Sequence, residues 1–180
     1  MKDKKIMGKH LAFCALSCAL ISIGSKIQIP IWTIPLTLQM PAMLLCMFIL
    51  PNFLSTATIA VYIFAGLLGL PVFASGGGFS YIFNPAFGYL IGFLLASIII
   101  SFIKTKTQSN TLFVLGIIAI VIVHTFGFLY TYFISNFYLA NNLTFLNALV
   151  YGSLVFLPTD LIWCFICPKI VTRVLKAVNL

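Results

Sequence analysis

Six apolar runs, each near the length that crosses a bilayer, occupy most of this 180-residue chain. Crossing roughly 30 Å of hydrocarbon takes about 20 residues of α-helix, and a helix keeps its backbone N–H and C=O groups bonded where no water can reach them. The runs fall at about 11–29, 34–50, 53–70, 85–103, 112–134 and 145–167. They predict a single all-α integral membrane domain over residues 1–180 with six transmembrane helices. Charge supports this reading: charged residues make up 7% of the chain, against roughly 25% in a soluble domain. A water-soluble enzyme, a disordered chain and a coiled coil are excluded. Pro30, Pro35, Pro51, Pro71, Pro85 and Pro168 lie at or near the ends of the runs, where a missing N–H costs least. Pro41 and Pro158 fall inside the second and sixth runs and are expected to kink or interrupt those helices.

The basic residues set the orientation. Lys2, Lys4, Lys5 and Lys9 precede the first run, Lys104 and Lys106 separate the fourth from the fifth, and Lys169, Arg173 and Lys176 follow the sixth. With six crossings these places share one face, leaving Lys26 alone near the other. The positive-inside rule makes the crowded face cytoplasmic, with both termini inside a plasma membrane. The net charge of +8 therefore speaks for a lipid bilayer rather than nucleic acid. The basic start before an apolar run is also compatible with a signal peptide, but no A-x-A-like site followed by a polar stretch comes after Leu20, and the run is read as a retained span.

The same scarcity limits the chemistry. Asp3 and Asp160 are the only acids, and Asp3 lies in a charged tail, so paired-carboxylate catalysis has no second partner. His10 and His124 cannot form a three-ligand metal site without Cys or Asp160, and no GxxxxGK[ST] phosphate loop occurs. The chain is not read as an enzyme, and no cofactor or metal is implied. Cys14, Cys18, Cys46, Cys164 and Cys167 all lie within the runs; the CxxC spacing of the last two is read as soft packing in a membrane helix.

Several polar features stand out against this background. Asp160 lies near the middle of the sixth run, where a charge costs on the order of 3 kcal/mol; it must face a cavity, a distant partner or a ligand donor, or else be protonated. His124, in mid-run, is expected to be neutral and bonded to a backbone carbonyl, with a proton relay as the alternative. Gln39 is either a ligand contact or a bond to a neighbouring helix. Gly76-Gly77-Gly78 lies in a connection on the extracytoplasmic side, ahead of a helix start near Asn84-Pro85. Bare amides there, with a positive helix end, suit an anion such as a carboxylate; a flexible turn is the plain alternative. The other two connections on that side are proline-rich, with Trp32 as an interfacial aromatic, and polar around Ser135–Thr144. In the first run, Ala15-xxx-Ala19 forms a smooth strip where another helix can approach.

Read together, Pro35-Leu36-Thr37-Leu38-Gln39, Gly69-Leu70-Pro71-Val72-Phe73-Ala74 with its glycines, Asn84-Pro85-x-x-Gly88-Tyr89-Leu90-x-Gly92-Phe93 and Pro158-Thr159-Asp160-Leu161-Ile162 resemble the BioY family. That family comprises the biotin-binding S components of energy-coupling-factor (ECF) vitamin transporters. The resemblance covers nearly the whole chain and implies the S-component fold, with six helices and both termini cytoplasmic. It further implies a biotin-binding subunit without its own energy source, driven by ATPase subunits and by a transmembrane coupling subunit that docks on the Ala15/Ala19 strip. Under this reading Asp160 accepts a ureido N–H, Gln39 or Asn84 completes the ring's polar contacts, and Phe73, Tyr81, Tyr89 and Trp163 supply apolar contact. The valerate carboxylate would be held by Gly76, Gly77 and Gly78 and the helix start at Asn84-Pro85. The chain departs from the family pattern around Phe87, and at Trp163, where many members carry Lys; without that cation Asp160 is expected to be unpaired. Alternatives within transport are a pocket for a related vitamin or biotin precursor, or a proton-coupled facilitator using Asp160 and His124.

Overall fold

The computed structural model describes residues 2–30, 34–51, 53–104 and 108–178; Trp32 and Lys106 lie outside the described residues. Helices dominate: α1 (Lys2–Lys26), α2 (Gln39–Ile49), α3 (Leu54–Leu67), α4 (Phe87–Ile103), α5 (Ser109–Phe137), α6 (Phe145–Leu149) and α7 (Leu157–Val178). A π-helical stretch, Val150–Leu154, joins α6 to α7, so these form one broken sixth span. The stretches Met7–Lys26, Ser109–Phe137 and Phe145–Val178 are long and apolar enough to cross a membrane, while α2, α3 and α4 are shorter apolar helices. At 1.5 Å per residue the 11 residues of α2 reach only about 17 Å, roughly half the hydrocarbon thickness.

Irregular backbone fills the depth that the short helices leave. The proline-rich link after α1 folds into an antiparallel ribbon, Gln28–Pro30 (β1) against Pro35–Thr37 (β2), with Gln28 opposite Thr37. Leu38 N donates onward to Ile27 O at 3.2 Å, so this link satisfies part of its backbone within itself. After α3 the chain makes a tight turn at Phe73–Gly76 and a 3₁₀ segment at Phe79–Phe83 before entering α4. Both chain ends lie at the opposite pole of the bundle, where Lys9 Nζ donates to Val178 O at 2.9 Å.

Two expectations about proline are corrected here. Pro41 interrupts nothing, because it sits within the first turn of α2, where an N–H has no intrahelical partner; Pro158 does stand at an interruption, since the sixth span breaks just ahead of it and α7 restarts at Leu157. Pro168, expected at the end of the sixth run, lies inside α7, which continues to Val178.

The most extensive helix–helix interface joins α4 to α5, and small residues make it possible. A Cβ at Gly92 would stand 2.8 Å from Val123 Cα, and one at Gly88 would overlap Tyr130. The Gly88-xxx-Gly92 spacing is the small-xxx-small pattern that lets membrane helices meet backbone to backbone. Across the seam, a Cβ at Gly127 would overlap the Tyr89 ring. At the cytoplasm-assigned end, Lys104 Nζ donates to the carbonyls of Met47, Phe48 and Leu50 at 3.0, 3.3 and 2.5 Å. Burial pulls this ammonium down to about 8, yet it caps the negative end of α2. Gly92→Leu should force α4 from α5 and cost about 1–3 kcal/mol. The expected result is a thermal midpoint in detergent several degrees lower, with Gly8→Leu as a control because nothing lies within 4 Å of a Cβ at Gly8.

Candidate functional site

A cleft of about 620 Å³, its mouth included, opens at the pole away from the chain termini. Its wall begins with the β2 strand and the start of α2, where the chain leaves the ribbon and turns into the bundle. Phe73 and Tyr81, both buried, form an aromatic floor with ring centroids 4.5 Å apart. Tyr89, His124, Phe156 and Asp160 close the deep side.

The turn after α3 is held from three directions. Ser25 Oγ and Tyr62 OH donate to Val72 O at 2.6 and 2.9 Å, and Lys26 Nζ donates to Phe73 O at 2.6 Å. Gln39 Nε2 in turn donates to Tyr62 OH at 3.2 Å. Gln39 is therefore both a cleft residue and a bond between helices, the two roles left open by its sequence. Gly66 makes room for Phe73, since a Cβ there would overlap the ring.

The amides of Gly76 and Gly78 serve this turn rather than standing bare. Gly76 N donates to Phe73 O at 3.1 Å and Gly78 N to Gly66 O at 2.7 Å. Gly76 and Gly78 have φ of +119° and +105°, a region that strains any side chain with a Cβ. A Cβ at Gly77 would overlap Leu70 O. These three glycines lie outside the cleft lining, and the Gly76 and Gly78 amides, expected to be free for an anion, are paired within the loop. Asn84 is likewise committed: its Oδ1 accepts from Ala86 N at 2.9 Å ahead of α4, and it does not line the cleft. Trp163 is partly buried against the core and also lies outside the cleft lining.

Asp160 is not unpaired. His124 Nε2 lies 2.8 Å from Asp160 Oδ2, with both residues 5% exposed, so His124 bonds a carboxylate and not the backbone carbonyl expected for it. The break in the sixth span explains the placement. Because α7 restarts at Leu157, Asp160 stands in its first turn, where the positive end of the helix dipole favours an anion. The imidazole also faces Tyr89 edge-on and Phe156 in a stacked arrangement, at centroid distances of 6.2 and 6.4 Å. Tyr89 OH donates to Gly152 O in the π-helical stretch. His124 Nδ1 is buried without a partner among the described residues.

The cleft thus gathers Gln39, Phe73, Tyr81, Tyr89 and Asp160 from the sequence candidates and leaves out Asn84, Gly76, Gly77, Gly78 and Trp163. Sequence reasoning missed the walls contributed by Met40, Leu90 and Phe93, which are apolar residues indistinguishable by type from lipid-facing ones. His124 had a usable signal: it is the histidine in mid-span, and an intramembrane acid needs a partner. On α1, Ala15 and Ala19 are exposed on an outer face, with Leu16 and Leu20 beside them.

Comparison with known proteins agrees with this architecture. The fold is similar to the crystal structure of the S-component for biotin from an ECF-type ABC transporter, with a TM-score of 0.73 and 27% identity, covering 98% of this chain and 94% of that one. The biotin transporter BioY of Thermotoga maritima is 31% identical over 170 residues, 93% of this chain and 96% of its own. A probable biotin transporter BioY of Lysinibacillus sphaericus is 37% identical over 132 residues, 72% of this chain and 67% of its own. The BioY family model matches residues 1–180, and the chain belongs to the BioY family.

Proposed function

We propose that this chain is the biotin-binding S component of an ECF transporter, a membrane transport subunit and not an enzyme. The observation that carries this is the cleft itself, with a buried carboxylate at its deep side and aromatic rings around it, in a chain of this family. A ureido ring presents two N–H donors and one carbonyl, and Asp160 offers an acceptor strong enough to bind an N–H in a charge-assisted bond. The thioether ring packs on Phe73, Tyr81 and Tyr89. The basic residues assign the termini to the cytoplasm, so the cleft opens outward and receives substrate from outside. Energy comes from a coupling subunit and ATPase subunits, and the exposed Ala15/Ala19 strip of α1 is the face proposed for docking the coupling subunit.

Equilibrium binding of radiolabelled biotin to the purified chain in detergent, with no other subunit present, tests the reading. Saturable, tight binding is expected; a monodisperse protein that binds another vitamin and not biotin would reassign the substrate. Asp160→Asn should weaken biotin binding by about 1.5–3 kcal/mol, the scale of a hydrogen bond to a charged group, and unchanged affinity would remove Asp160 from the site. Gly66→Ala should displace the Phe73 ring and lower biotin affinity, which a titration of the folded variant measures directly. Replacing Ala15 and Ala19 together with Trp should spare biotin binding while abolishing uptake in cells that supply the partner subunits; equal loss of both would argue against a docking face.

A further inference from the structure

We infer that His124 is a specificity-determining residue whose Nδ1–H donates to the carbonyl of the ligand's cyclic urea, while the free oxygen of Asp160 accepts the adjacent ureido N–H. This rests on the biotin reading and assigns a role to a side chain that the sequence had linked to the backbone. The imidazole lines the cleft, is 5% exposed and has one nitrogen committed to Asp160 Oδ2 at 2.8 Å. Its other nitrogen is buried with no partner among the described residues, a state that costs free energy unless a ligand satisfies it.

The donor character of Nδ1 follows from electroneutrality. A buried pair inside an apolar bundle is least costly when its net charge is zero. Two arrangements meet that condition: an imidazolium beside a carboxylate, or a carboxylic acid donating to the Nε2 of a neutral imidazole. Both place a hydrogen on Nδ1, wherever the shared proton sits. Only the net-negative arrangement, a carboxylate accepting from Nε2–H, leaves Nδ1 bare. Tyr89 OH already donates to Gly152 O, and one of the two Gln39 Nε2 hydrogens to Tyr62 OH. The Nδ1–H is the unpartnered donor that stands on the residue bonded to Asp160. Together with Asp160 it offers a donor and an acceptor side by side, complementary to the C=O and N–H edge of a cyclic urea.

The test compares biotin with 2-iminobiotin, in which an imino group replaces the ureido oxygen, at a pH where the iminobiotin is a guanidinium. That form presents donors alone and opposes a donor at Nδ1. His124→Gln keeps an amide able to bond Asp160 and removes the Nδ1 position. With the full chain in detergent, wild type should strongly prefer biotin. His124→Gln should lose roughly 10- to 100-fold in biotin affinity, with a smaller loss for iminobiotin, so the preference contracts. A proportional loss for both ligands would reduce His124 to a structural support and overturn the inference, as would unchanged biotin affinity. Wild type that binds no biotin would instead overturn the substrate reading, a distinguishable failure. If His124→Gln does not fold, nitrogen NMR of ¹⁵N-histidine-labelled wild type decides. His10 and His124 are the only histidines, and a bare His124 Nδ1 in the biotin complex would overturn the assignment.

Discussion

Close approach of α4 to α5 is the contact on which the cleft depends. Membrane helices gain little from hydrophobic burial against one another, because lipid is as apolar as their side chains. Backbone-to-backbone packing through Gly88, Gly92 and Gly127 replaces that missing drive with dispersion. Val123 packs on Gly92, and His124 follows it in sequence, so the helix spacing sets where the imidazole stands. Tyr89 lies on the same seam against Gly127 and reaches Gly152 through its hydroxyl. One glycine-lined interface thereby positions two cleft side chains and anchors the irregular part of the sixth span.

Shortness of helix is the second constraint. A bundle of six full-length helices would fill the membrane with side chains and leave no room for a ligand. Here α2 and α3 stop early, and ribbon, turn and 3₁₀ segments take over at one pole, with main-chain groups paired among themselves or with Ser25, Lys26 and Tyr62. Irregular backbone at membrane depth is tolerated where it lines a cavity. The break between α6 and α7 applies the same logic from the other side. It creates a helix start inside the bundle, and Asp160 sits in that first turn where a carboxylate is least unfavourable.

Much of the fold was legible from residue order. Long apolar runs, the placement of lysines and the position of most prolines at run ends are local properties, and they located the helices to within several residues except the near end of α1, which begins at Lys2, and the far end of α7, which runs well past Pro168. Pro41 misled because a proline in the first turn starts a helix, whereas one in the middle bends it, and the two differ by only a few residues of register. The candidate site was half legible. Gln39, Phe73, Tyr81, Tyr89 and Asp160 were found because polar and aromatic groups stand out against aliphatic runs. Gly76, Gly77, Gly78 and Asn84, expected as ligand contacts, fall outside the cleft lining, and composition does not tell that Gly76, Gly78 and Asn84 bond within the loop.

The sequence by itself determined a membrane-embedded helical domain and the presence of His124 and Asp160 in mid-run, two polar groups that had to be accommodated. Those follow from the cost of charge and of unpaired backbone in hydrocarbon, which acts on each segment separately. Only the tertiary structure decided that His124 and Asp160 are partners, that Trp163 lies outside the cleft and that the glycine loop closes on Gly66. Such pairings join residues 36 apart for His124 and Asp160, and they are set by helix rotation and spacing, which no local pattern of apolar residues specifies.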